Sequence, residues 1–115
     1  MSDPYDQGEL FCPSYHHAVE LIGRRWSGVI LRELLLGRTR FGQIKAAIPE
    51  LTDKMLSQRL REFETEGLIE RTVVPETPVR IEYTLTDKGN DLEFAITALS
   101  RWADRWIPTV GATEA

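Results

Sequence analysis

A chain of 115 residues with 42% apolar side chains can bury one core and is too short for two ordinary domains. Its 28% charged residues suit a globular surface, no apolar run nears the ~20 residues that cross a bilayer, and the acidic opening MSDPYDQGEL is no secretory or transit signal. One cysteine, Cys12, excludes an intrachain disulfide and fits a reducing compartment, so the expected location is the cytoplasm.

Residues 1–11 are expected to be a flexible lead, 12–107 a single domain and 108–115 a flexible tail. A first helix is predicted over Ser14 to Ile22, with Pro13 suited to its opening and Gly23 to its end. A second runs from Trp26 to Leu36, where Trp26, Val29, Ile30 and Leu34 recur at helical spacing and Gly37 stops it. Phe41 to Ile48 forms a third, short helix ended by Pro49, and Thr52 caps a fourth from Asp53 to about Glu66, stopped by Gly67. The period then changes. Leu68 to Val74 is rich in β-branched residues and Arg80 to Leu85 alternates, so with the Pro75–Pro78 link they predict a β-hairpin. A long last helix is expected from Thr86–Asp87 to about Ile107, ended by Pro108. The order predicts a mainly α (α+β) fold, a winged helix-turn-helix with an added helix at each end. The last helix carries a stripe of Leu92, Ile96, Leu99, Trp102, Ala103 and Trp106, broader than one small domain covers. Leu92, Ile96, Leu99, Trp102 and Trp106 are therefore the expected interface of a homodimer.

The net charge of −4 is unevenly spread. Residues 38–61 carry six basic side chains against two acidic ones, while 62–86 carry six acidic against two basic. A local basic patch on an acidic body still collects phosphates, because screening limits each charge to about 10 Å. On a wheel at about 100° per residue, Leu56, Leu60 and Phe63 of the fourth helix share one side. Lys54, Gln58, Arg61 and Thr65 cluster opposite, with Ser57 on their flank. Each can hydrogen-bond and none is acidic, which suits base edges and phosphates in a major groove. A solvated helix face would look similar; the hairpin that follows and the basic Arg38-Thr39-Arg40 before the third helix favour double-stranded DNA. The expected DNA contacts are Arg38, Thr39, Arg40, Gln43, Lys54, Ser57, Gln58 and Arg61, with Thr77 and Arg80 from the hairpin. Arg59, nearer the core side, is expected to pair with a glutamate.

Cys12-Pro13, Glu20-Leu-Ile-Gly-Arg-Arg-Trp26, Ile30-Leu-Arg-Glu-Leu-Leu-Leu-Gly37 and Arg40-Phe-Gly42 together resemble the HxlR family of bacterial regulators. So do Met55-Leu-Ser-Gln-Arg-Leu-Arg61, Glu66-Gly-Leu-Ile-Glu-Arg71, Pro75-Glu-Thr-Pro-Val-Arg-Ile-Glu-Tyr83, and Leu85-Thr86 with Gly89. The resemblance implies a winged-helix transcription factor that dimerises through its terminal helices on a palindromic operator, with Thr52 to Glu66 as its recognition helix. It also implies, for some members, sensing of oxidants or electrophiles through a cysteine placed like Cys12.

At the start of the first helix, Cys12 meets free N–H groups and the positive end of the dipole, which favour the reactive thiolate. A buried packing cysteine is the other reading. Cys12, His16 and His17 supply at most three metal ligands and no matching pair, so no metal site is expected. No phosphate-cradling loop or nucleophile–base set appears, so neither an enzyme nor a cofactor is expected. Two alternatives stay open: a winged helix that binds protein instead of DNA, and a regulator with an effector pocket among Trp26, Phe94 and Trp102.

Overall fold

The computed structural model describes residues 11–108. In chain order they form α1 (Pro13–Gly23), α2 (Ser27–Leu35), α3 (Phe41–Ala47), α4 (Asp53–Thr65), β1 (Ile69–Val74), β2 (Arg80–Leu85), α5 (Asp87–Asn90) and α6 (Glu93–Trp106). The strands pair antiparallel, Ile69 opposite Leu85 and Val74 opposite Arg80. This is the winged helix-turn-helix order. Most of the expected lead and most of the expected tail lie outside the described residues.

The core lies where α2, α3 and α4 meet the start of the hairpin. Ile30, Leu31 and Leu34 of α2 pack with Ile44 of α3, with Ile48 and Leu51 of the turn, and with Leu56, Leu60 and Phe63 of α4. Leu68 and Ile69 close it from below. A hairpin alone is marginal in water, so this docking is what makes the wing a fixed element. Three hydrogen-bonding joints set its angle. Gly67, at φ 81°, ends α4; its N–H reaches Glu64 O at 3.0 Å and Leu68 N–H reaches Phe63 O at 2.8 Å. The left-handed conformation in this Schellman arrangement is why a glycine follows the helix. Thr86 N–H donates to Leu68 O at 2.9 Å, and its hydroxyl donates to Gly67 O at 2.6 Å. Tyr83 N–H donates to Thr39 O at 2.7 Å, tying β2 to the segment before α3.

Two sequence expectations need correction. The second helix starts at Ser27, because Trp26 has φ 75° and turns the chain between α1 and α2. That left-handed conformation is strained for a bulky residue; the ring packs against the core and the Arg25 guanidinium lies 5.1 Å from its centroid. The long last helix is two helices. At Leu92 the N–H bonds back three residues to Gly89 O, at 3.1 Å, and α6 begins afresh at Glu93. Just before the break Gly89 is pressed against the backbone of Leu68, which holds α5 on the hairpin base. Ile96 is buried and α6 leans on α2.

Candidate nucleic-acid interface

Thr52 Oγ1 accepts from Met55 N–H at 3.1 Å, capping α4, and Asp53 in the first turn pairs with Lys45 of α3 at 2.9 Å. These bonds and buried Leu51 fix the turn between the two helices. Leu56, Leu60 and Phe63 are fully enclosed, so α4 has no freedom to roll. The opposite face carries exposed Lys54, Gln58, Arg61 and Thr65, with Ser57 half-buried at its edge. No ion pair holds Lys54 or Arg61 among the described residues. Arg59 is buried: its Nε donates to Arg25 O at 2.9 Å and its guanidinium grips Glu62 at 3.1 Å. It braces α4 against the α1–α2 turn, as its place near the core side predicts.

The remaining predicted contacts fall into free and engaged groups. Arg40 is exposed, with no carboxylate partner among the described residues. Arg38 pairs with Glu33 at 3.1 Å. The side-chain carbonyl of exposed Gln43 accepts from Thr39 N–H at 3.2 Å and Arg40 N–H at 3.1 Å, capping α3. Thr77 is exposed at the hairpin tip. Arg80 is held by Glu76 at 2.7 Å and Glu82 at 3.0 Å. Arg71, which the sequence reading left out, shares a groove with Ser57 and Arg61. Strand alternation could have found it, since it lies on the same face of β1 as buried Ile69.

Of the apolar stripe, Leu92 and Ile96 are spent inside the chain, whereas Leu99, Trp102 and Trp106 stand more than half exposed. On α1, Tyr15 and Val19 are also exposed, as is Phe11 ahead of it. Phe94 is 82% exposed and lines, with Glu93, Thr97, Ala98 and Arg101, an open hollow to which neither Trp26 nor Trp102 contributes. Cys12 is half-buried at the α1 N-cap; its carbonyl accepts from His16 N–H at 3.0 Å, and the Phe11 and His16 rings lie 5.1 Å apart.

A link between α1 and the end of α4 was invisible in the sequence because its members are 49 positions apart. His17 Nε2 lies 3.0 Å from both carboxylate oxygens of Glu66, and Lys88 Nζ donates to Glu66 O at 2.7 Å. The His17 hydrogen bond, helped by the charges of His17 and Lys88, holds the Glu66 carboxyl below its ordinary pKa despite partial desolvation. A lowered acid pKa means the tie contributes above the usual carboxylate range and is lost as pH falls through the lowered value.

Residues 21–110 match the family described as HxlR-like helix-turn-helix. The chain belongs to that family. It is 48% identical over 102 residues to the uncharacterized HTH-type transcriptional regulator YvaP of Bacillus subtilis, covering 89% of this chain and 94% of YvaP. It is 42% identical over 99 residues to the HTH-type transcriptional regulator YodB of the same organism, covering 86% and 88%. The structure of reduced YodB aligns with TM-score 0.74 at 42% identity, over 85% of this chain and 96% of that one. Diamide-treated and quinone-bound YodB align with TM-score 0.70 each. The oxidised form of the redox regulator HypR aligns with TM-score 0.79 at 30% identity, over 85% and 100%. YodB is a transcriptional regulator and HypR a redox regulator, and this chain shares their mostly helical, two-stranded winged fold. No helix among the described residues is long and apolar enough to cross a membrane.

Proposed function

We propose that this chain is a cytoplasmic, sequence-specific DNA-binding regulator that grips a palindromic operator as a homodimer, without enzymatic activity or a cofactor. The observation that carries this reading is the outward face of α4, where Lys54, Ser57, Gln58 and Arg61 stand on a helix clamped by its core side, with no acidic residue among them. Arginine offers a bidentate fork to guanine and glutamine pairs with adenine, while lysine suits a phosphate. Arg40 and exposed Gln43 flank the same helix-turn-helix; Arg38 and Arg80 join only by exchanging their carboxylates for phosphate, and Thr77 extends the wing tip. A protein-binding face would show an apolar anchor, and this one has none.

Binding is measured by anisotropy on a duplex recovered by selection. Arg61→Ala and Gln58→Ala are each expected to weaken specific binding by about 1–3 kcal/mol and relax base preference; Lys54→Ala mainly lowers the salt slope. Unchanged curves for all three would remove α4 from the DNA and favour the protein-binding alternative.

The signal we assign is a thiol-reactive oxidant or electrophile acting at Cys12, a small-molecule effector. Support comes from its place at the first turn of α1, beside the exposed apolar surface expected to form the dimer seam, and from the likeness to YodB and HypR. With a single cysteine, oxidation gives a sulfenic acid, a mixed disulfide or a bond between subunits. Diamide should change operator affinity of the wild type, reversibly with reductant, and leave Cys12→Ser unaffected. Equal responses, or none, would make Cys12 a packing residue.

A further inference from the structure

We propose that Arg71, at the base of the hairpin, holds a backbone phosphate of the DNA beside α4, so that the wing's cationic lip is its base and not its tip. This rests on the reading of α4 as the recognition helix. Between α4 and the hairpin runs a groove lined by Ser57, Leu60, Arg61, Glu64, Arg71 and Tyr83. Arg71 and Tyr83 are directly opposite in the strand register, so their side chains leave the sheet on one face. That is the face Ile69 buries against the helices, which sets Arg71 on the α4 side of the hairpin, at the solvent-open edge of the groove.

Charge pairing separates the hairpin's two arginines. Arg80 has two carboxylates, Glu76 and Glu82, and reaching a phosphate means giving both up. Arg71 is exposed and has no carboxylate within 4.0 Å among the described residues, so its guanidinium meets an anion without breaking an existing pair. Arg61 lines the same groove from the helix side. Two guanidinium groups on one groove repel each other until an anion lies between them. When a helix occupies the major groove, the sugar–phosphate ridge runs along its flank, where this groove lies. Glu64 also lines the groove and opposes the phosphate. It provides a test of opposite sign.

The experiment uses the whole protein and a selected duplex, with Kd followed as a function of salt. Arg71→Ala should weaken binding by about tenfold, lower the salt slope by about 1, and leave base preference unchanged. Arg71→Lys should restore most of the slope, Arg80→Ala should stay within about twofold of wild type, and Glu64→Gln should strengthen binding. Wild-type affinity and slope for Arg71→Ala, with Arg61→Ala still impaired, would overturn the assignment of Arg71 alone. An unimpaired Arg61→Ala would instead overturn the reading of α4 beneath it.

Discussion

Replacing Trp102 and Trp106 together by Glu is expected to leave a folded monomer whose operator affinity is about 10²–10⁴-fold lower than that of the parent. Both indoles are more than half exposed on α6, and with Leu99 they follow helical spacing along a stripe beside the buried Ile96 face. Because that stripe is not part of the protomer core, charging it leaves Leu56, Leu60 and Phe63 packed and the unfolding transition near wild type. What the proposed homodimer would lose is the second half of a twofold binder. A single recognition helix meets one half-site, and the intramolecular advantage of the linked second helix disappears. Sedimentation and light scattering at micromolar concentration report the mass, and anisotropy reports affinity. A variant that remains a dimer with full affinity would move the seam elsewhere.

Gly89→Ala is expected to destabilise the fold by roughly 1–3 kcal/mol, against the direction that helix propensity predicts. An alanine inside a helix is ordinarily worth about 1 kcal/mol over glycine. Here the added Cβ overlaps the Leu68 carbonyl oxygen and crowds the Leu85 side chain. The Leu68 carbonyl cannot step aside freely, since it accepts Thr86 N–H at 2.9 Å, and Leu68 is itself buried. Steric overlap with fixed backbone therefore outweighs propensity. Urea unfolding followed by circular dichroism measures the difference; equal or greater stability would show that α5 is not pressed on the hairpin base. The same variant should weaken DNA binding, because the base of the hairpin shifts relative to α4.

Much of this was legible in the sequence. The three core residues of α4 and its polar outer face follow from the wheel alone, and Thr52, Gly67 and Pro13 mark helix ends where the structure places them. The split of the last helix was not legible. Apolar spacing runs through Leu92 and Ile96 without a gap, and just before the break Gly89 meets Leu68, a contact between segments that local patterning does not encode. Trp26 misled for a related reason: its spacing fits α2, yet its backbone has positive φ while its ring packs against the core. Among site residues, the sequence offered Arg38, Arg40, Lys54, Arg61 and Arg80 alike as DNA contacts. The structure ties Arg38 to Glu33 and Arg80 to Glu76 and Glu82, and leaves Arg40, Lys54, Arg61 and Arg71 without such partners among the described residues. Sequence counting weighs a charge by its presence, whereas binding depends on what already holds it.

Selection of bound duplexes from a random pool, followed by sequencing, bears most directly on α4 as the reader of DNA. The expected product is an inverted repeat with half-sites about 34 Å apart, one duplex turn, enriched by the wild type. Arg61→Ala should enrich a motif degenerate at one position in each half-site, with the rest preserved. Failure to enrich any motif, or the same motif at the same strength from wild type and Arg61→Ala, would contradict the assignment of α4.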